Sequence, residues 1–298
     1  MKNIIVVTGG AGFVGSNLIE KLIKYSNVKI ISIDNYSSGN KKNHIKNKRV
    51  LYINGSTQNI DRILTSKSKY IQTIFHFGEF SRIYQSFKNF NKCLESNMQG
   101  TKAVILFCLK NNIKLIYSAT SASLGRKGKD ENLSPYAFTK SKNLELLENL
   151  KKWFKFKFEI IYFYNVYGPR QIESGENATV IGIFQRQYRK KIPLTIVKPG
   201  TQRRRFTHID DTIKICLRAW KLNKCKHYAI SSEKSYSIIE LAKMFKCKMK
   251  YLPFRKGERF ASKLTKMNLS NIVDINIGKI KLKNYINEIV SKSPIKNK

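Results

Sequence analysis

The stretch Thr8-Gly9-Gly10-Ala11-Gly12-Phe13-Val14-Gly15 decides the fold of this chain. It follows an apolar run from Ile4 that has the length of a strand, and it precedes apolar residues at helical spacing. A glycine turn between a strand and a helix lets the backbone approach a pyrophosphate, and the helix N-terminus offers free N–H groups. Because any tight turn favours glycine, the prediction depends on the strand and the helix around it. We expect the dinucleotide site to include Gly9, Gly12, Phe13, Val14 and Gly15.

A carboxylate at the end of the next predicted strand indicates which dinucleotide is bound. Asp34 follows the run from Ile30 to Ile33, about twenty residues beyond the glycines, where a carboxylate can bind both ribose hydroxyls. The same carboxylate would repel a 2′-phosphate, which favours NAD over NADP. The alternative interpretation of Asp34 is a helix cap or turn residue before Asn35. We expect Asp34 and Asn35 to contact NAD.

Strand-like runs alternate with helical patterns as far as Gly168, and beyond Gly168-Pro169 the alternation weakens. This alternation is typical of a parallel sheet with helices on both faces. The sequence therefore predicts an α/β fold, a Rossmann-type doubly wound parallel sheet with a smaller C-terminal substrate-binding region. We expect residues 1–168 to form the NAD-binding domain with the catalytic helix. Residues 169–298 should form mainly the substrate-binding region, interleaved with the last strands of the sheet and ending in a frayed basic tail. The predicted strands are 4–8, 30–33, 51–53, 74–77, 115–117 and 158–163, and the catalytic helix is 136–154.

Composition and charge restrict the possible functions. The 298 residues include 57 Lys and Arg but only 19 Asp and Glu, which gives a formal net charge of +38. Such a charge suggests a nucleic-acid partner, but the lysines are spread along the chain and no nucleic-acid-binding motif is found. We therefore expect no specific nucleic-acid partner.

Without an apolar run long enough for a membrane span, and with an N-terminal apolar run that leads directly into the glycine motif, the chain is expected to be cytoplasmic. Five cysteines without a C-x-x-C pair argue against a disulfide framework and a metal site.

A tyrosine and a lysine four residues apart form the candidate catalytic pair. Tyr136 and Lys140 would share one face of a helix that follows Ser134-Pro135. An ammonium beside a phenol, with the positive nicotinamide nearby, stabilises the phenolate and so lowers a pKa that is about 10 in a free tyrosine. The pattern also occurs by chance on exposed helix faces. Its position after five strand-like runs and a glycine motif makes a catalytic role the favoured interpretation.

Hydroxyl side chains follow the strand that precedes this helix. The stretch from Ile116 to Gly125 contains Ser118, Thr120, Ser121 and Ser123 at the carboxyl end of the strand, where ligands bind in open α/β sheets. One of these hydroxyls can hydrogen-bond the substrate oxygen that Tyr136 deprotonates. Most of them are expected only to cap a turn.

At this point the chain resembles the extended short-chain dehydrogenase/reductase superfamily, in particular the nucleotide-sugar epimerases related to UDP-glucose 4-epimerase. The resemblance extends from Met1 to about Gly278. Its landmarks in chain order are T-G-G-A-G-F-V-G-S from Thr8, D-N from Asp34, F-H-F-G from Phe75, S-N-M-Q-G-T from Ser96, S-P-Y-A-F-T-K from Ser134, N-V-Y-G-P-R-Q from Asn165 and F-T-H-I-D-D from Phe206.

The resemblance implies roles for individual residues. Thr120 matches the catalytic Ser or Thr, which would assist Tyr136 and Lys140 and contact the substrate. The residues implied to bind NAD are Phe77, Gly78 and Asn97, together with Tyr136 and Lys140. The residues implied to bind the substrate are Asn165, near the sugar diphosphate, and Arg204 and Arg255, which would hold its phosphates. Two arginines suit a diphosphate because each guanidinium can bind bidentately. The resemblance also implies a homodimer and a nucleotide-sugar substrate, most often a UDP-sugar.

The chain departs from the family pattern at three positions. Ser56 stands where the family has an Asp that contacts adenine, Arg205 replaces the Asp of Q-x-R-D-F, and Glu79 ends a stretch that often reads H-x-A-A.

Epimerisation at C4 is the expected reaction, with a reductase or an epimerase acting at another carbon as the alternative. A protein of another class, a non-enzymatic NAD sensor or a nucleic-acid binder, is suggested by the charge alone.

Overall fold

A computed structural model describes residues 2–121, 132–255 and 272–292. Residues 122–125 of the stretch that carries the hydroxyl side chains, and the basic tail at 293–298, lie outside these residues. Within them, no helix combines the length and the apolar character that crossing a bilayer requires.

The strands and helices alternate in the first half of the chain, as the sequence predicts. In chain order the strands are β1 (Ile4–Thr8), β2 (Lys29–Asp34), β3 (Val50–Asn54), β4 (Ile71–His76), β5 (Lys114–Thr120), β6 (Phe158–Phe163), β7 (Val166–Tyr167), β8 (Leu194–Val197), β9 (Arg203–Arg205), β10 (Thr207–His208), β11 (His227–Ser231), β12 (Ser235–Ser237), β13 (Met249–Leu252) and β14 (Ile272–Ile277). The helices are α1 (Phe13–Tyr25), α2 (Ile60–Leu64), α3 (Ile83–Lys88), α4 (Phe90–Leu94), α5 (Thr101–Lys110), α6 (Pro135–Phe154), α7 (Val180–Arg189), α8 (Ile209–Leu222), α9 (Ile238–Lys243) and α10 (Leu282–Lys292).

The large sheet confirms the predicted Rossmann-type fold. Its strand order is β3-β2-β1-β4-β5-β6-β11-β14, and every neighbouring pair is parallel. The order reverses direction between β1 and β4, which opens a crevice at the carboxyl ends of these strands where ligands bind in such folds.

Alternation along β1 shows why the sheet is covered on both faces. Val6 points into a core formed with α2, α5 and α6, whereas Ile5 and Val7 point into a second core formed with α1 and α8. Because successive side chains of a strand face opposite sides, an uninterrupted apolar strand buries both of its faces.

The region after Gly168 has a core of its own and also contributes to the large sheet. Its apolar residues come from α7, β8, α9 and α10, and three short strand pairs, β7–β10, β8–β13 and β9–β12, lie around that core. The strands β11 and β14 return to the large sheet. The division of the chain at Gly168 into two domains stays a prediction.

Candidate active site

A cavity of about 790 Å³ lies at the carboxyl ends of the parallel strands. Much of its wall is formed by the last residues of five strands, or by the residues that directly follow them: β1, β2, β4, β5 and β6. The segments around residues 165, 176 and 204 also line it. The sequence-predicted residues that line it are Gly9, Gly12, Phe13, Val14, Gly15, Asp34, Asn35, Phe77, Gly78, Thr120, Tyr136, Lys140, Asn165 and Arg204.

The glycine turn has the shape that a pyrophosphate needs. Gly9 has a φ of +69°, and a Cβ there would lie 2.9 Å from the backbone of Phe77 and Gly78. A Cβ at Gly15 would lie 2.2 Å from the carbonyl oxygen of Gly9. Gly12 is the N-cap of α1 and borders the cavity, so its missing side chain leaves room for a ligand beside the helix N-terminus. These features fit a dinucleotide.

Asp34 ends β2 and lines the cavity beside the glycine turn. Its carboxylate accepts hydrogen bonds from the backbone N–H of Ala11, at 2.9 Å, and of Tyr36, at 2.8 Å. Burial raises the pKa of Asp34, while these N–H groups lower it. The carboxylate is thus held in place beside the glycine turn at the wall of the cavity.

The helix α6 presents the candidate catalytic pair, Tyr136 and Lys140, to the cavity. Its N-cap is Ser134, whose Oγ accepts a hydrogen bond from the N–H of Ala137, and Pro135 occupies the first helical position. Tyr136 follows at once, so its orientation depends on where the helix begins. The N–H of Tyr136 donates to Ser86 Oγ at 3.2 Å and ties this end of the helix to α3.

Thr120, Tyr136 and Lys140 converge as the sequence predicts. Burial raises the pKa of Tyr136 to about 12, and a hydrogen bond from Thr120 at the end of β5 opposes the rise. Lys140 donates to the carbonyl oxygen of Ser118 and to the carboxylate of Glu79. Its ammonium also lies 4.6 Å from the centre of the Tyr117 ring. The group contains a phenol, a hydroxyl that bonds it and a buried cation one turn further along α6.

Two of the expected ligands do not line the cavity. Asn97 is completely buried and does not line the cavity. Its Oδ1 accepts from the N–H of Phe80, and its Nδ2 donates to the carbonyl oxygen of Phe80 and to the hydroxyl of Thr139. It holds the loop after β4 against α6. Arg255 places its guanidinium 5.3 Å from the centre of the Tyr84 ring, on α3.

The three departures from the family pattern have defined contacts. Ser56 Oγ caps a short 3₁₀ turn by accepting from the N–H of Gln58, and Ser56 borders the cavity. Arg205 donates to the carbonyl oxygens of Ser232 and Glu233, away from the catalytic pair. Glu79 forms the ion pair with Lys140.

Sequence reasoning missed two cations that line the cavity, Arg82 and Lys92. Arg82 is half-buried, it lowers the pKa of Tyr136 by its charge, and it donates to the carbonyl oxygen of Asn177 at 2.9 Å through Nε. The sequence could have indicated Arg82, because it lies in the loop after β4, and loops at the carboxyl ends of parallel strands line ligand sites. Arg82 thus joins that loop to the segment around Asn177, which also lines the cavity.

Comparison with known proteins agrees with this site. The sequence model of the NAD dependent epimerase/dehydratase family matches residues 5–231. An uncharacterized UDP-glucose epimerase of Bacillus subtilis is 33% identical over 227 residues, which cover 70% of each protein. An ADP-L-glycero-D-manno-heptose-6-epimerase of Brachyspira hyodysenteriae is 30% identical over 260 residues, covering 82% of this chain and 80% of that protein.

A solved structure extends the similarity to the C-terminal region. The UDP-glucose 4-epimerase of Thermotoga maritima, crystallised with UDP-glucose, superposes with a TM-score of 0.83 over 97% of both chains at 25% identity. The expected relationship to extended short-chain dehydrogenase/reductase epimerases is therefore confirmed. The chain belongs to the NAD dependent epimerase/dehydratase family, and its cofactor is NAD.

Proposed function

We propose that this enzyme epimerises a nucleotide-activated sugar at C4 through a 4-keto intermediate, with a UDP-sugar as the substrate. The observation that carries the proposal is the convergence of Thr120, Tyr136 and Lys140 on a cavity that the glycine turn and Asp34 also line. Similarity to the UDP-glucose epimerases of Bacillus subtilis and Thermotoga maritima supports the choice of substrate class.

The chemistry follows from the positions of these side chains. When bound, NAD takes up and returns a hydride. Tyr136 accepts the proton of the sugar 4-hydroxyl and later gives it back, and the Thr120 hydroxyl holds the phenol oxygen in line. The ammonium of Lys140 favours the phenolate. The wide cavity, about 790 Å³, gives a keto sugar room to turn before its other face is reduced.

Dehydration and decarboxylation are disfavoured by the two residues after Thr120. Eliminating water needs an additional acid and base beside the sugar, and related dehydratases carry Asp-Glu directly after the catalytic Thr, whereas related decarboxylases have a Glu two residues after it. Here these positions are Ser121 and Ala122, and neither has a carboxylate. Glu79, although it lines the cavity, is engaged by Lys140.

The diphosphate is proposed to bind Arg204, with Asn165 beside it. Arg255 is proposed as a second phosphate ligand, which would turn to the cavity from its place over the Tyr84 ring. Arg204 and Asn165 line the cavity, and the Asn165 amide donates to the carbonyl oxygen of Arg205 at 3.0 Å, which fixes its direction. We expect Arg204→Ala to weaken sugar-nucleotide binding by about 30-fold. Arg203→Ala is the matched control, because Arg203 is exposed and bonds Ser235. Equal affinities for the two variants would remove Arg204 from the proposal.

The proposed reaction is tested with a panel of UDP- and TDP-sugars in heavy water, followed by NMR. A 4-epimerase returns the same hydride, so the product carries no solvent deuterium on carbon. Deuterium at C5 or a 6-deoxy-4-keto product would contradict the proposal. We also expect Tyr136→Phe to lower turnover by at least about 100-fold while the variant still binds NAD, and near-parental turnover would refute the role of the phenol.

Epimerisation at another carbon is the second candidate. Similarity to the heptose-6-epimerase of Brachyspira hyodysenteriae supports it, because that relative matches 82% of this chain. The position of the inverted carbon in the NMR experiment separates the two candidates.

The assembly is proposed to be a homodimer that works in the cytoplasm. The helix α6 carries the exposed aromatic residues Phe138, Trp153 and Phe154, which an interface would cover. A molar mass near that of one chain in light scattering would exclude the dimer.

A further inference from the structure

A buried carboxylate lies beside the catalytic lysine. Glu79 comes from the loop after β4, and its side chain is only 2% exposed. It forms an ion pair with Lys140, whose side chain is 4% exposed. Glu79 Oε1 accepts hydrogen bonds from Thr101 Oγ1 and from the hydroxyl of Tyr117, each at 3.0 Å. A carboxylate this deeply buried is kept there by the cation and the donors around it.

The hydrogen bonds of Glu79 continue to the glycine turn. Thr101 must donate to the carboxylate, so its oxygen accepts from His76 Nε2, which lies 2.9 Å away. Burial lowers the pKa of His76 to about 4, so the ring is neutral and its Nδ1 accepts from Thr8 Oγ1 at 2.8 Å. Thr8 Oγ1 in turn accepts from the N–H of Gly78 at 3.0 Å. The charge on Glu79 therefore sets the direction of a chain of bonds that ends beside Gly9.

We propose that Glu79 is a positioning residue for the catalytic pair, acting as the counter-ion that keeps Lys140 charged and fixed and that limits the positive charge reaching Tyr136. The proposal rests on the proposed function in so far as Tyr136 is the base. Glu79 stands at a position where the family motif often has alanine, so the proposed role concerns a residue that is a departure of this chain.

Several charged or titratable groups face Glu79, and their effects can be given a sign. They are Lys140 and Tyr136 on α6, Tyr117 on β5, His76 on β4 and Cys93 on α4, and Arg82 on the loop acts on Tyr136. Burial lowers the pKa of Lys140 and Glu79 raises it again. Burial raises the pKa of Tyr136, and Glu79 raises it further.

Glu79→Gln keeps the shape of the side chain and removes its charge. Both pKa values then fall, so a bell-shaped dependence of kcat/KM on pH moves to lower pH at both limbs. We expect about one pH unit at each limb, the size of effect that a charge next to a titrating group produces. Glu79→Asp keeps the charge and should restore the parental profile. Thr101→Val, which removes a donor and leaves the ion pair, should leave both limbs in place.

The outcomes separate a charge effect from a structural one. Limbs that stay in place in Glu79→Gln, or that move to higher pH, overturn the proposal. A shift in Thr101→Val equal to that in Glu79→Gln also overturns it, because the bond network and not the charge would then be responsible. If Tyr136→Phe remains active, the proposed function fails, whereas an unmoved profile with inactive Tyr136→Phe refutes only the role of Glu79.

A second measurement decides the matter should Glu79→Gln unfold. The double variant Glu79→Gln with Lys140→Met has no buried charge at this place, so it should melt at a higher temperature than Glu79→Gln alone. A lower or equal melting temperature for the double variant would show that Glu79 does not act as the counter-ion of Lys140.

Discussion

Replacing Gly15 by alanine tests whether close packing against the backbone of Gly9 and Gly10 requires a glycine at position 15. An alanine Cβ would stand 2.2 Å from Gly9 O and 2.8 Å from Gly10 Cα, whereas ordinary contact begins at 3.4 Å, so the overlap with backbone is 1.2 Å. Neither neighbour can move without shifting β1 or α1. Overpacking of this kind costs about 2–3 kcal/mol, which corresponds to a melting temperature lower by roughly 3–5 °C for a chain of this size.

Gly12 provides the matched control for this substitution. A Cβ at Gly12 would meet one atom, Gly9 O at 3.1 Å, and would otherwise face the cavity. Gly12→Ala should therefore lower the affinity for NAD while changing the melting temperature of the cofactor-free protein little. Gly15→Ala should lower both, with a loss of affinity of about 30-fold or more. Thermal melting without cofactor and titration with NAD measure the two effects. Equal melting temperatures for the two variants would refute the assignment of separate roles.

Three further predictions concern stability. Ser134→Ala removes the N-cap of the catalytic helix and should lower the free energy of unfolding by about 1 kcal/mol in urea titrations, and an unchanged value would mean that Pro135 alone fixes the helix start. Glu159→Ala leaves Lys114 and the N–H groups of Cys225 and Lys226 without their carboxylate, and should cost about 3–5 kcal/mol; a loss below 1 kcal/mol would contradict this. The pKa of His76 is depressed from 6.5 to about 4 by burial, so the unfolded chain takes up a proton first and stability falls as the pH drops from 6.5 towards 4, by up to about 3 kcal/mol. His76→Gln should flatten that decline, and a parental slope in the variant would rule His76 out as its source.

Much of the fold could be predicted because its signals are local. The apolar run Ile4–Thr8, the glycine turn and the helix after it are adjacent in sequence, and all three form where they are expected. The helix predicted at 136–154 begins one residue earlier, at Pro135, because Ser134 is its cap. The return of β11 and β14 to the large sheet was expected only in general terms, since pairing between distant strands leaves little trace in a single sequence.

The parts of the site that sequence could not supply depend on contacts between distant residues. Tyr136 and Lys140 were found because their spacing is fixed by the helix. Glu79 was recognised as a departure, but its pairing with Lys140, 61 positions along the chain, follows only from the fold. Asn97 carried a motif-based expectation of cofactor contact, and the structure places it behind the cavity wall. A motif marks a position without specifying which of its neighbours the side chain bonds.

Two buried lysines differ in where their glutamate partners lie relative to the ligand-binding edge of the sheet. In a chain with a formal net charge of +38, Lys114 and Lys140 are the lysines buried within the described residues, and each contacts a buried glutamate. Glu159, at the amino end of β6 and so at the edge opposite to the ligand crevice, is also satisfied by the backbone N–H groups of Cys225 and Lys226, and its charge is not presented to a ligand. The pair of Lys140 lies at the carboxyl edge and lines the cavity. Burying a charged pair rarely adds stability over an apolar pair of similar size, so a pair kept at the ligand-binding edge is better explained by the charge that it presents there.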